Sequence, residues 1–417
     1  MTRREKVLAA LAHRSGPVPV DFGSTSVTGM HVSSVAALRD HYGLEKRLVK
    51  VHEPYQMLGW IEDDLLDAVG IDTTAPMPAD TLFGFAPRDW KEWRTPWGQD
   101  VLVPGKFHTK KEGDDVVIYP KGDTEVPPSG RMPSNGYFFD SIIRQVPWDE
   151  ENLDPADNTE EFTPISDEAL SGLKSGVTCA KATGRAIVVG IGGTGFGDIA
   201  LVPAPSLRYP KGIRDVTEWY VSVATRRDYV KAIFDRQLEV ALANLQKAHG
   251  VLGDSFDVLY VCGTDFGTQT SQFCSAATFR ELWLPYYRAI NDWVHRNTAW
   301  KTFKHSCGAI VPFLPSLIEA GFDIINPVQC SATGMEAQGL KERFGDQIVF
   351  WGGGVDTQRV LPFGTKEEVR RQVLERCEIF AKGGGFVFDT IHNVQALTPV
   401  ENLVTMFDAV REFNGAR

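Results

Sequence analysis

In the stretch Lys301-Thr302-Phe303-Lys304-His305-Ser306-Cys307-Gly308, a histidine and a cysteine stand two residues apart where an apolar strand pattern ends. In an extended backbone residues i and i+2 point to the same side, so His305 and Cys307 can share one metal ion. Two ligands do not complete a site. The others must come from segments that the fold brings beside this one. The plainer reading of the pair is a histidine that hydrogen-bonds a substrate and a cysteine that serves as a small buried hydrophobe.

The elements that would position the pair follow from periodicity. Apolar or alternating runs at 18–22, 71–74, 186–189, 258–262, 301–305, 322–326, 348–351 and 386–389 predict strands. Helical spacing separates them at 32–42, 63–69, 167–182, 217–250 (in two pieces), 276–296, 310–320, 337–344 and 366–381, and closes the chain at 400–413. Eight strands alternating with helices predict an α/β fold, a (β/α)8 TIM barrel, with an open doubly wound sheet as second choice. No low-complexity linker divides residues 1–417, which are expected to form a single domain. The alternation is interrupted once, at 77–164, where Pro96-Trp97-Gly98, Gly113-Asp114-Asp115 and Pro127-Pro128-Ser129-Gly130 punctuate short alternating runs. That interruption predicts an antiparallel β insertion in the N-terminal half. It is a candidate lid over the active-site rim, or else a surface elaboration or dimer contact.

In such a barrel the C-terminal strand ends form one rim, where sites are built. Polar residues crowd that position: Asp265 and Gln269, then His305 and Cys307, then Asn326, Gln329 and Cys330, then Asp356 and Gln358, then Asp389, His392, Asn393 and Gln395. Each alone could be a cap or a satisfied loop group; Asp356 has the position of a helix cap. His305, Cys307 and His392 would together offer one thiolate and two imidazoles, a set that suits tetrahedral Zn²⁺ and leaves a fourth position for water or substrate. Cys330 is the rival third ligand, and Asp389 or Gln329 could serve as a fourth ligand or as support behind one.

Other readings are narrowed by the same inspection. Gly190, Gly192 and Gly195 satisfy G-x-G-x-x-G after a strand, but the chain runs on through Pro203-Ala204-Pro205 instead of opening a helix. A glycine-permitted loop lining another ligand pocket is the better reading. The formal net charge of −11 gives no global positive field to hold nucleic acid or anionic lipid. Six thinly spread cysteines point to a reducing compartment. The apolar run at 7–12 is too short for a signal peptide, and no run reaches the roughly 18 residues of a membrane span, so a cytoplasmic enzyme is expected.

The residues also resemble a known family. The run Thr2-Arg3-Arg4-Glu5-Lys6-Val7-Leu8-Ala9-Ala10-Leu11, Thr264-Asp265-Phe266-Gly267-Thr268-Gln269, His305-Ser306-Cys307-Gly308, Asn326-Pro327-Val328-Gln329, Phe350-Trp351-Gly352-Gly353, Gly383-Gly384-Gly385 and Thr398-Pro399-Val400-Glu401-Asn402 together resemble the uroporphyrinogen decarboxylase superfamily, in its methyltransferase-like branch. The resemblance spans nearly the whole chain and is weakest in the β insertion. It implies a (β/α)8 barrel with its cleft at the rim described above. Porphyrinogen decarboxylases carry an Arg-rich segment near the N-terminus; Val18-Pro19-Val20-Asp21-Phe22-Gly23-Ser24 stands there instead, which argues against a tetrapyrrole substrate. The corrinoid-dependent methyltransferases of the superfamily bind zinc through His-x-Cys and a distant Cys, whose place here falls at about His392. With fewer thiolates the ion is less electron-rich and better suited to an oxygen or nitrogen donor.

The resemblance thus implies a zinc-dependent methyltransferase acting on a small molecule. Asp265 and Asp389 are its expected catalytic residues, Asp389 as a base behind a zinc ligand. Gln269, Asn326, Gln329 and Asp356 are expected to bind substrate, and His305, Cys307 and His392 to bind zinc. No Asp-x-His-x-x-Gly segment for corrinoid is present, so a corrinoid protein is the expected partner. A homodimer would suit such a barrel. The alternative is a metal-free decarboxylase or lyase of a small carboxylic acid, using Asp265 and His305.

Overall fold

Strand alternation decides which side chains enter the barrel. Val188, Val258, Phe303, Ile324, Val349, Trp351 and Val387 form one buried cluster along its axis. Into that cluster the helix Arg3–Leu11 inserts Val7, Ala10 and Leu11, closing the end of the barrel opposite the rim. A capping box between Thr2 and Glu5 starts this helix. Arg4 donates to Asp257 Oδ1 from Nε at 3.0 Å and Nη2 at 2.7 Å, and Lys6 Nζ lies 3.0 Å from Asp72 Oδ1, so the plug is fastened at two strand starts.

The computed structural model describes residues 1–415; residues 416–417, the end of the expected single domain, lie outside the described residues. Seven parallel strands follow in the order Phe386–Val387, Val349–Trp351, Ile324–Asn326, Lys301–His305, Val258–Cys262, Ala186–Gly190, Thr73–Thr74. The eighth place belongs to the segment around Val20. Val20 makes a parallel bridge to Phe388, Asp21 N donates to Phe388 O at 2.9 Å, and Asp72 N donates to Val20 O at 2.8 Å. Both open edges are therefore joined through residues 19–21. The segment forms a bridge instead of the full strand expected at 18–22, because Pro17 and Pro19 have no N–H to give a ladder.

Helices Asp63–Val69, Asp167–Ala182, Ala337–Phe344 and Val400–Phe413 occupy the spans their spacing predicts. The expected helix at 276–296 is instead two, Ala276–Leu282 and Leu284–Asn297, since Pro285 cannot donate to the preceding turn. Likewise the segment expected as a helix from 310 begins with a 3-10 turn, Val311–Phe313, and becomes α-helical only over Leu314–Glu319. A short helix at Val360–Phe363 and an antiparallel pair, Val51–Glu53 with Leu58–Gly59, were not legible as periodic patterns.

The interruption folds as antiparallel β structure. Lys91–Arg94 pairs with Asp100–Val103, and Thr109–Glu112, Asp115–Ile118, Gly130–Met132 and Asp140–Ser141 form a four-stranded sheet in chain order. Phe83, Phe85, Phe107 and Phe139 pack beneath it and belong to the same buried cluster as the barrel's outer layer. Its C-terminal end grips the loop after Ala186–Gly190: Arg144 donates to Leu207 O at 2.6 Å and Ala204 O at 2.7 Å, and Gln145 Nε2 to Gly212 O at 2.8 Å. None of the described helices is long and apolar enough to cross a membrane.

Candidate metal centre

His305 ends the Lys301–His305 strand and faces into the barrel, in register with Asn326 on the neighbouring strand. Its Nδ1 lies 2.6 Å from Asn326 Oδ1, and Asn326 Nδ2 donates to Trp351 O at 2.9 Å. The second bond orients the amide. Because Trp351 O can only accept, Oδ1 is the atom turned to His305, so Nδ1 carries the proton and Nε2 is left with its lone pair. That lone pair points towards Cys307, whose Sγ is 3.5 Å away. Tetrahedral bonds of about 2.1 Å to nitrogen and 2.3 Å to sulfur would separate two such atoms by about 3.6 Å.

The third member arrives from the far end of the chain. His392 follows the Phe386–Val387 strand, with its ring centre 5.3 Å from that of His305 and the planes at 77°. One donor atom from each of His305, Cys307 and His392 lies within 4.8 Å of the other two. Asn393 anchors the loop that carries His392, donating to Ser26 O at 2.8 Å and Gln56 Oε1 at 2.7 Å. Burial lowers both imidazoles, His305 to about 3 and His392 to about 4, which keeps them neutral and able to ligate. Burial, then the charge of Asp265, pushes the Cys307 thiol well above its ordinary range. Two neutral imidazoles and a thiol make a donor set that fits a soft or borderline divalent ion.

Asp265 touches this cluster directly. Its Oδ1 accepts the Cys307 N–H at 2.6 Å and lies 3.7 Å from His305 Nε2; burial raises its carboxyl above the usual range. Gln329 Oε1 accepts the Gly308 N–H at 2.8 Å while its Nε2 donates to Gln269 Oε1 at 2.9 Å, so Gln269 and Gln329 brace the His305–Gly308 loop from outside. Asn326, expected at a substrate, is hydrogen-bonded to the His305 ring. Asp389, expected as the base behind a ligand, is buried and accepts from Thr390 N at 2.7 Å. Its Oδ2 has no partner among the described residues, and burial and the charge of Asp21 raise its carboxyl well above the ordinary range. Asp356 caps its own turn, accepting from Gln358 N at 2.7 Å and Arg359 N at 3.1 Å. Cys330 is not part of the three-residue cluster found among the described residues.

Three further groups near the rim escaped the sequence reading. A Cβ on Gly263 would stand 3.2 Å from Asp198 Oδ2 and 2.7 Å from the Tyr260 hydroxyl, so those two polar tips meet at one bare glycine. Burial, and then the nearby Asp265, raises Asp198 to about 6. Tyr220, stacked on Phe273 at 5.0 Å, has a buried hydroxyl without a partner among the described residues, held well above its usual range by burial and the charge of Asp265. Tyr260 is inward by strand parity and could have been found so. Asp198, beyond the Gly190–Gly197 loop, had no periodicity to announce it.

The close approach of two loops makes Gly308 irreplaceable. Its φ is +86° and a Cβ there would lie 2.4 Å from the Gly267 carbonyl carbon. Gly308→Ala is expected to lose about 2–4 kcal/mol, combining left-handed strain with overpacking, and to weaken metal binding as the loop carrying Cys307 shifts. Urea unfolding of the metal-free protein and a metal titration check both effects.

Residues 253–413 match the family model described as uroporphyrinogen decarboxylase (URO-D). Among solved structures, a methyltransferase from Methanosarcina mazei is similar with a TM-score of 0.54 and 14% identity, over 99% of this chain and 99% of that one. At that identity the likeness is one of fold. Among curated proteins none matches the chain.

Proposed function

We propose that this chain, which carries a uroporphyrinogen decarboxylase (URO-D) family domain over residues 253–413, is a zinc-dependent methyltransferase that exchanges a methyl group between a small substrate and a corrinoid held by a separate protein. The observation that carries this reading is the His305, Cys307 and His392 cluster with the free lone pair of His305 Nε2 aimed into it. The fold shared with a methyltransferase from Methanosarcina mazei supports it. When bound, zinc would supply Lewis acidity, lowering the pKa of an alcohol, amine or thiol and stabilising the leaving anion.

The chain's own groups have separable tasks in this reading. Asn326 holds the His305 ring by its Nδ1 proton. Asp265 uses Oδ1 to fix the Cys307 backbone, which leaves Oδ2 to orient substrate or take its proton. Asp198 and the Tyr260 hydroxyl line the adjoining wall. One thiolate and two neutral imidazoles leave a zinc centre with net positive charge, which favours an oxygen or nitrogen donor over a second thiolate.

The test uses zinc-loaded protein, free cob(I)alamin as methyl acceptor, and a panel of small O-, N- and S-methyl compounds. Formation of methylcobalamin with at least one of them, abolished by chelation and restored by Zn²⁺, is the expected result. Turnover of a small carboxylic acid that survives chelation and needs no corrinoid would overturn the reading in favour of a decarboxylase or lyase.

A further inference from the structure

Lys304 is fully buried, on the face of the Lys301–His305 strand opposite His305. Alternation sends it outward between the sheet and the helices, where its Nζ lies 5.2 Å from the centre of the Phe266 ring and 5.8 Å from that of Tyr287. No carboxylate pairs with it among the described residues. Instead Nζ donates to the Thr264 carbonyl at 2.6 Å and to the His305 carbonyl. Those two carbonyls belong to the two segments that carry Asp265 and the His305–Cys307 pair.

The regular ladder between these segments is disturbed just here. Register shifts between Tyr260 and Cys262, and the last paired residues are Cys262 and Lys304. Beyond that point the segments are held by side chains: Ser306 Oγ accepts from Phe266 N at 3.0 Å, Asp265 Oδ1 accepts from Cys307 N at 2.6 Å, and Lys304 bridges the two carbonyls. A buried ammonium with no counter-ion is costly, and an apolar side chain of similar length would fill the same slot between two rings at less cost. Something other than packing therefore accounts for it.

We propose that Lys304 is a positioning residue for the metal centre: by joining the Thr264 and His305 carbonyls it sets how far Asp265 stands from the His305–Cys307 pair. The inference rests on the metal reading above.

Lys304→Met and Lys304→Gln test it. Methionine keeps length and suits the aromatic slot, and glutamine retains one donor. In metal-free protein, hydrogen exchange over 264–268 and 305–309 is expected to quicken by about tenfold or more in Lys304→Met and less in Lys304→Gln, with the other barrel strands unchanged. Zinc affinity, measured by competition with a chromogenic chelator, is expected to fall by about 10- to 100-fold while the melting temperature of the metal-free protein holds or rises. Unchanged exchange in the two segments would overturn the proposal, as would a fall in melting temperature with zinc affinity kept within about twofold, which marks a merely structural lysine. A wild-type protein that binds no zinc would instead defeat the metal reading, and the exchange measurement would still decide the role of Lys304.

Discussion

Zinc content, about one ion per chain in protein purified without chelators under reducing conditions, is expected to fall to near zero in His305→Ala, Cys307→Ser and His392→Ala. Each variant leaves two of three protein ligands, and loss of one anchor is worth on the order of 4 kcal/mol, about a thousandfold in affinity. The imidazoles of His305 and His392, lowered to about 3 and about 4, are already neutral above pH 5, so neither has a proton to release there. The Cys307 thiol is shifted the other way, by burial and then by Asp265, and must lose its proton to bind. Affinity should therefore drop about tenfold for each unit that pH falls below the thiol's range, with about one proton released per ion. Elemental analysis and calorimetry in buffers of different ionisation enthalpy measure both. Zinc retained in His392→Ala but lost in the other two would move the third ligand to Cys330 or Asp389. A wild type that holds no metal would remove the zinc mechanism altogether.

The second large effect is expected at Asn326, which touches no ion. Asn326→Ala deletes the acceptor that keeps the proton on His305 Nδ1 and leaves the buried Trp351 carbonyl without its donor. The ring is then free to turn or to protonate Nε2, and zinc affinity should weaken by about 10- to 100-fold. Asn326→Asp keeps an acceptor at the same distance and should recover most of the affinity, although its carboxylate cannot donate to Trp351 O. Nitrogen-resonance spectra of metal-free protein report the tautomer directly. An unchanged tautomer and affinity in Asn326→Ala would show that the ring is held by packing alone.

Much of this architecture is a local property of the chain. Alternation with period two places Phe303 and His305 on one face and Lys304 on the other, and this needs no knowledge of neighbours. The same holds for the helical spacing of 63–69, 167–182 and 400–413, for the turn residues of the β insertion, and for the His-x-Cys pair that can share an ion. Proline accounts for most departures: Pro285, Pro312 and Pro315 interrupt helical spacing, and Pro19 reduces a strand to a bridge.

What tertiary structure alone decided concerns partners from distant segments. His392 stands 87 residues beyond His305, and whether it, Cys330 or Asp389 would lie beside the pair depends on where the closing strands bring their loops. Asn326 is polar at a strand end in either reading; only the register with His305 turns it into a ring-holding acceptor. Asp198 comes beside the Tyr260 hydroxyl at Gly263 because the loop after Ala186–Gly190 folds over the next strand's exit, where Thr264 Oγ1 donates to Phe196 O at 3.0 Å. Residues 19–21 close the sheet because both of its edges present free backbone groups to them. Periodicity is written in neighbouring residues, whereas a site is a meeting of side chains whose separation along the chain carries no repeating signal: His305, Cys307 and His392 were legible as a candidate set by residue type and strand-end position, whereas the groups that surround them, Asn326 and Asp198 among them, took their places only with the register and loops of the fold.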